Sequence, residues 1–148
     1  CALFLALGCI YLRLGSVEIH NMHGLARQMP WTMAAFVAGG LSLIGVPLTA
    51  GFISKWYLVS AALTAGYWPL AVLVLVSSLL ALIYIWRVVE AAYFHVPGAD
   101  MHRVREAPAS MLIPAWLLIG INIYVGFDAG LIINIAQQGA AVLVGQTP

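Results

Sequence analysis

The residue with the clearest capacity for chemistry is Lys55, the only lysine of the sequence, which lies in a long apolar tract. Gly45 and Pro47 come shortly before it, and Gly51 lies between them and the lysine. Proline removes a backbone donor and clashes with the preceding helical turn, so this spacing predicts a break in an apolar helix. Ionisable side chains beside interrupted backbone at membrane depth are costly and mark ion or proton pathways.

A lysine in this setting suits a proton relay. Desolvation disfavours the ammonium form, so the side chain can release a proton and regain it. The backbone groups freed over 45–51, together with the hydroxyls of Thr49 and Ser54, can order water, and a half-helix end adds a partial charge. Other interpretations stay open. The lysine could form a structural ion pair or snorkel to the interface, and the hydroxyls could bond carbonyls of their own helix.

The composition places these residues in a membrane protein. Hydrophobic residues make up 64% of the 148 residues and charged residues 7%, against roughly 45–50% and about 25% in soluble domains. The net charge of +1 points neither to a nucleic acid nor to a charged surface partner. Cys1 and Cys9 fit no disulfide framework. The sequence has no nucleotide-binding glycine loop and no cysteine ligand set, so we predict no cofactor.

The elements that must position Lys55 are predicted to be helices, in an all-α, polytopic transmembrane bundle. The first apolar run is too short to span ~30 Å, which takes about 20 residues, so we expect a piece of a longer membrane protein. The predicted segments are the end of a helix at 1–14, a broken helix at 30–65, spans at 69–94 and 109–125, and an interfacial helix at 128–145.

The length of the segment 30–65 favours a single crossing with a break in it. One straight helix of about 35 residues would be ~52 Å long, which exceeds one crossing and falls short of two. Two half-helices that re-enter on the same side remain the alternative. Lys55 lies eleven residues before the turn at Gly66. That is about 16 Å of helix, so the lysine is expected near the middle of the bilayer, in protein or facing internal water.

The basic residues predict the orientation. The polar loops at 15–29 and 95–108 are flanked by arginines, whereas the turn at Gly66 has none beside it. The positive-inside rule therefore places both loops in the cytoplasm, and we expect a bacterial plasma membrane. The segment from Ser16 to Met29 is polar and is predicted to be an exposed loop.

Two further groups of polar residues are candidates for function. Arg87 and Glu90 share a helix face, which predicts an ion pair at the cytoplasmic interface; the functional alternative is a point of proton uptake. His20 and His23 are spaced like metal ligands, but no cysteine or second pair accompanies them. We therefore predict no metal site.

The run RQMPWTMAAFVAGGLSLIGVPLTAGFISKWYL at 27–58 resembles the antiporter-like membrane subunits shared by respiratory complex I and the Mrp-type cation/proton antiporters, and the D subunit of the latter most. The tract ALFLALG resembles the end of the preceding helix, and REAPASMLIPAWLLIGINIYVGFDAG resembles the last span of these subunits. The PLTAGFISKW core is the specific part. The resemblance covers essentially the whole chain.

The resemblance implies a function and a set of partners. In such subunits two inverted repeats of five helices each hold a broken helix, and Lys55 would be the lysine of the second, on the outward side of a proton path. The first repeat, with its glutamate–lysine pair, is absent from this sequence. The implied function is proton translocation in a multisubunit monovalent cation/proton antiporter, with other membrane subunits, lipid, protons and sodium ions as partners. A pump subunit of an NADH:quinone oxidoreductase and a non-conducting structural subunit are the alternatives.

Overall fold

The computed structural model describes residues 1–95 and 104–128, together with Gly130 and Gly139. Within these ranges every regular element is a helix, which confirms the all-α fold class. The predicted interfacial helix at 128–145 and most of the loop at 95–108 lie outside the described residues. The helices are α1 (Ala2–Leu14), a 3-10 helix (Ile19–Met22), α2 (Leu25–Gln28), α3 (Pro30–Ile44), α4 (Ala50–Thr64), α5 (Trp68–Phe94) and α6 (Ala109–Phe127).

Two of the described helices, α5 and α6, are long and apolar enough to cross a membrane, with mean hydropathy 2.4 and 1.7 over their most apolar 18-residue windows. Their large side chains point away from the protein: Leu73 is 64% exposed and Phe127 is 70% exposed. The central helix of a soluble protein would bury such residues, because each buried Leu or Phe contributes about 1.5–3 kcal/mol. Both helices therefore fit a lipid environment.

The helices α3 and α4 follow each other along α5, separated by the residues 45–49. Each has 15 residues, about 22 Å of helix, which is too short to span alone. Three contacts follow the chain along α5: Gly24, which precedes α2, with Ala91; Gly40 of α3 with Ile85; and Lys55 of α4 with Ser78. These contacts move steadily toward the start of α5, so α3 and α4 run the same way, antiparallel to it. This direction is the one that a single broken crossing requires, and the crossing itself stays a prediction.

The segment predicted to be an exposed loop before α3 is instead folded onto the protein, so that prediction is wrong for much of 16–29. It forms the 3-10 helix and α2, and Met22, Leu25 and Met29 are fully buried. These apolar residues recur at the three- and four-residue spacing of one helical face, while His20 and Arg27 remain exposed. The buried face joins a core formed with α1, α3 and α5.

The start of α3 is held by a carboxylate from a distant loop. Glu106 Oε2 accepts a hydrogen bond from the N–H of Trp31 at 3.2 Å. Its Oε1 accepts from the N–H of Thr32 at 3.2 Å and from the Thr32 hydroxyl at 2.6 Å. The first N–H groups of a helix have no partner within the helix. The N-terminus is also the positive end of the helix dipole, so an anion is stabilised there. Glu106 therefore caps α3 and ties it to the segment that leads into α6.

Removing this cap is expected to weaken the fold. Glu106→Ala should lower stability by about 0.5–2 kcal/mol, the range for loss of a helix cap, because two N–H groups and the buried Thr32 hydroxyl lose their acceptor. The measurement is the midpoint of thermal unfolding of the detergent-solubilised complex. Glu18→Ala, which removes an exposed carboxylate, is the control. Equal midpoints for the two variants would show that the cap contributes nothing.

Candidate functional site

The break after α3 leaves two backbone carbonyls without helical partners. The helix ends at Ile44, and Gly45 follows with φ 92°, a left-handed conformation that favours glycine. The N–H groups of Gly45 and Val46 both donate to the carbonyl of Leu41, at 3.0 and 3.1 Å. In a continuing helix the N–H four residues after Leu43 would bond its carbonyl, but that residue is Pro47, which has no N–H. The carbonyls of Leu43 and Ile44 are thus available as acceptors.

Lys55 fills this gap from the second turn of α4. Its Nζ donates to the carbonyl of Leu43 at 2.7 Å, to that of Ile44 at 3.0 Å and to Ser78 Oγ at 2.7 Å. A lysine ammonium has three N–H donors, so all three are used. The end of α3 also carries the negative end of the helix dipole. The arrangement therefore stabilises the charged form of the lysine without a carboxylate.

Close backbone approach brings the two half-helices together. A Cβ atom at Gly51 would overlap the backbone carbonyl of Ser42, so only glycine allows α4 to begin this close to α3. Gly126 of α6 lies in the same way against the carbonyl of Leu48. Leu48 itself has φ 76°, a conformation that costs a non-glycine residue about 1–3 kcal/mol.

A cavity of about 510 Å³ opens beside the lysine, between α1, α3, α4 and α6. Ser54 and Lys55 line it, together with Ser42 and Asn122, whose side chains are joined by a hydrogen bond from Ser42 Oγ to Asn122 Oδ1 at 2.8 Å. A water molecule occupies about 30 Å³ in the liquid. The cavity therefore has room for several waters, and its polar side chains offer them partners next to the lysine.

The predicted site residues cluster around the break, with different roles. Gly45 ends α3, Pro47 lies in the turn, Gly51 permits the close approach and Ser54 lines the cavity. Thr49 donates to the carbonyl of Val46 at 2.7 Å, so its hydroxyl bonds local backbone. The carbonyls that bind Lys55 belong to Leu43 and Ile44, just before the range 45–51 whose backbone groups were expected to order water. The site is thus more tightly built around the lysine than the sequence indicated.

Arg87 and Glu90 do not join this site. They lie nine and twelve residues beyond Ser78 on α5, and both are exposed. The predicted ion pair between them is not present, since neither side chain forms an ion pair with another described residue. Their spacing permits contact, but an exposed pair gains only about 0–1 kcal/mol and does not hold two long side chains together.

Three polar residues of the site were missed in the sequence: Ser78, Ser42 and Asn122. A signal for Ser78 exists. Lys55 lies eleven residues before Gly66 and Ser78 twelve after it, and helices on either side of a tight turn bring such positions to the same depth. Ser42 and Asn122 are eighty residues apart, and nothing local in the sequence connects them.

Three described histidines have neighbouring rings near the end of α5. The rings of His20 and His23 are 5.0 Å apart edge to face, and those of His23 and His95 are stacked at 4.6 Å. The pKa of His23 is lowered, first by desolvation and then by the neighbouring His95 and His20. Among the described residues no group of three or more His, Cys, Asp or Glu side chains is placed to hold a metal ion.

The chain resembles proteins of known type along most of its length. A family model described as "NADH:quinone oxidoreductase/Mrp antiporter, TM" matches residues 1–81. The chain is 41% identical to NADH-quinone oxidoreductase subunit N of Desulforudis audaxviator, over 91% of this chain and 30% of that protein. It is 33% identical to the subunit N of Moorella thermoacetica, over 82% of this chain and 26% of that protein. The chain thus spans less than a third of the length of these relatives.

Two solved structures share the fold. The Mrp complex from Dietzia sp. DQ12-45-1b matches with a TM-score of 0.86 and 26% identity, over 95% of this chain and 34% of that chain. The membrane-bound sulfane sulfur reductase, an archaeal respiratory membrane complex, matches with a TM-score of 0.75 and 32% identity, over 83% of this chain and 20% of that chain. The chain belongs to the NADH:quinone oxidoreductase/Mrp antiporter transmembrane family.

Proposed function

We propose that this chain is part of a proton-translocating membrane subunit and that Lys55 is its proton relay. The observation that carries the proposal is that the amine of Lys55 lies between a set of hydrogen-bond acceptors and a cavity. On one side lie two helix-end carbonyls and Ser78, which accept its hydrogen bonds. On the other lies a cavity large enough for water and lined by polar side chains.

The chemistry follows from this position. In the charged state all three protons of the ammonium are bonded, so the cation is tolerated away from bulk water. Loss of one proton to water in the cavity leaves a neutral amine with a lone pair, which can take a proton from water again. A change in neighbouring charge would alternate the two states, because charges interact strongly in a medium of low dielectric constant. The break between α3 and α4 is maintained by Gly45, Pro47 and Gly51. The Thr49 hydroxyl stabilises the turn within the break, and Ser54 stabilises water in the cavity.

Two kinds of assembly could contain such a subunit. A multisubunit monovalent cation/proton antiporter, with sodium ions as the exchanged cation, is supported by the fold shared with the Mrp complex. A redox-driven complex is supported by the curated relatives, which are named as subunits of NADH-quinone oxidoreductase. In either case we propose neighbouring membrane subunits as partners. The arginines that flank the loops at 15–29 and 95–108 support a cytoplasmic position for both loops, in a bacterial plasma membrane.

The test is proton movement by the complete native complex. The complex would be reconstituted into liposomes that contain a pH-sensitive dye. It would then be driven either by a sodium gradient or by NADH with a quinone. We expect one of the two drivers to change the internal pH, and the effective driver identifies the assembly. No pH change under either driver, from a complex that retains all its subunits, would favour the structural alternative.

A further inference from the structure

Two adjacent serines of α5 differ in their relation to Lys55. The hydroxyls of Ser77 and Ser78 both donate to the carbonyl of Val74, at 2.8 and 3.1 Å. Ser77 is exposed and does not contact the lysine, whereas Ser78 is half-buried and its Oγ accepts from Lys55 Nζ. Because the hydroxyl proton of Ser78 is donated to the carbonyl of Val74, the lone pairs of Ser78 Oγ face the lysine. Ser78 is therefore oriented as an acceptor.

We propose that Ser78 and the carbonyls of Leu43 and Ile44 form a dock that is selective for the charged form of Lys55. This inference rests on the proposed relay function and adds a positioning residue to it. Three acceptors match the three donors of an ammonium. A neutral amine has only two donors, and its lone pair would face an acceptor. The neutral side chain therefore leaves the dock and turns toward the cavity, where water, Ser54 and Asn122 can donate to it.

Few charged or titratable side chains lie on the helices around the dock. Ser78 therefore contributes a large part of the preference for the charged form of Lys55. Within their described lengths, α3 and α6 carry no Asp, Glu, Arg or His, and α4 carries only Lys55. Arg13 and Tyr11 lie toward the end of α1. On α5 the nearest titratable group is Tyr84, followed by Arg87 and Glu90. The remaining titratable groups on these elements are Cys1, which lines the cavity, Cys9, Tyr57, Tyr93 and Tyr124. The dock thus consists of neutral oxygens, and each of its three acceptors contributes to the stability of the charged lysine.

The test is the pH dependence of proton flux through the reconstituted complex with Ser78→Ala. Loss of one acceptor weakens the charged form, so the midpoint of the pH–rate profile should move to lower pH by about one unit. Ser77→Ala is the matched control, because it removes a neighbouring hydroxyl with the same Val74 bond and no contact with the lysine. Ser78→Thr, which keeps the hydroxyl, should restore the original midpoint.

The outcomes separate this inference from the proposed function. If Ser78→Ala leaves the midpoint where Ser77→Ala leaves it, while Lys55→Ala stops flux, the dock is wrong and the relay stands. If Ser78→Ala lowers flux equally at every pH and threonine does not restore it, Ser78 is only structural and the dock is again wrong. If Lys55→Ala retains flux, the relay itself is wrong.

Discussion

Lys55→Ala is expected to lower proton flux through the assembled complex by at least about tenfold, since a positioned proton-transfer group typically contributes a factor of 10²–10⁴. The variant removes the amine that bonds the carbonyls of Leu43 and Ile44 and whose residue lines the cavity. The measurement is the initial rate of dye response in liposomes, normalised to the amount of complex with a full set of subunits.

A matched control separates loss of the relay from loss of positive charge. Arg13→Ala also removes a cation, but from an exposed position in the last turn of α1. We expect this variant to retain flux close to that of the unaltered complex. If the two alanine variants behave alike, with assembly intact, the low flux reflects charge in general and Lys55 has no special role.

Gly51→Ala is the second change with a large expected effect. The added Cβ would overlap the carbonyl of Ser42, and that neighbour is backbone, so the two half-helices must move apart. Overpacking of this kind costs about 1–3 kcal/mol. The shift also moves Lys55 away from the end of α3. We therefore expect both a lower midpoint of thermal unfolding of the solubilised complex and a lower proton flux.

The control is the same substitution at a glycine with free space. A Cβ at Gly120 of α6 meets no atom within 4 Å, so Gly120→Ala should not lower stability and, because alanine favours a helix more than glycine, should raise it by up to about 1 kcal/mol. Equal effects at Gly51 and Gly120 would mean that the close approach of α3 and α4 is not required. A loss of stability at Gly51 with unchanged flux would mean that the approach matters for folding alone.

The part of the fold that could be predicted is the part fixed by local sequence. The helix α5 follows from an apolar tract with a proline in its first turn. The end of α3 follows from Gly45 and Pro47. The prediction for the segment 16–29 was wrong because its polar and charged residues, about as many as its apolar ones, were taken as the sign of a loop. Met22, Leu25 and Met29 lie on one helical face and are buried in the core, so their spacing was a better guide than composition.

The contacts that complete the site depend on residues far apart in the chain. Glu106 caps a helix that begins 76 residues earlier, with hydrogen bonds to residues 75 and 74 positions away. Ser42 bonds Asn122 across eighty residues. No local pattern encodes such pairs. Arg87 and Glu90 show the opposite error, because a favourable local spacing predicted a pair that tertiary structure does not form.

The most direct test of the relay is Lys55→Arg. Arginine keeps the positive charge and can donate to the carbonyls of Leu43 and Ile44, but it does not lose its proton in a protein. If Lys55 works by releasing and regaining a proton, this variant should assemble normally and lose flux as fully as Lys55→Ala. Flux within about twofold of the unaltered complex would contradict the account, because it would show that a fixed charge is sufficient at this position.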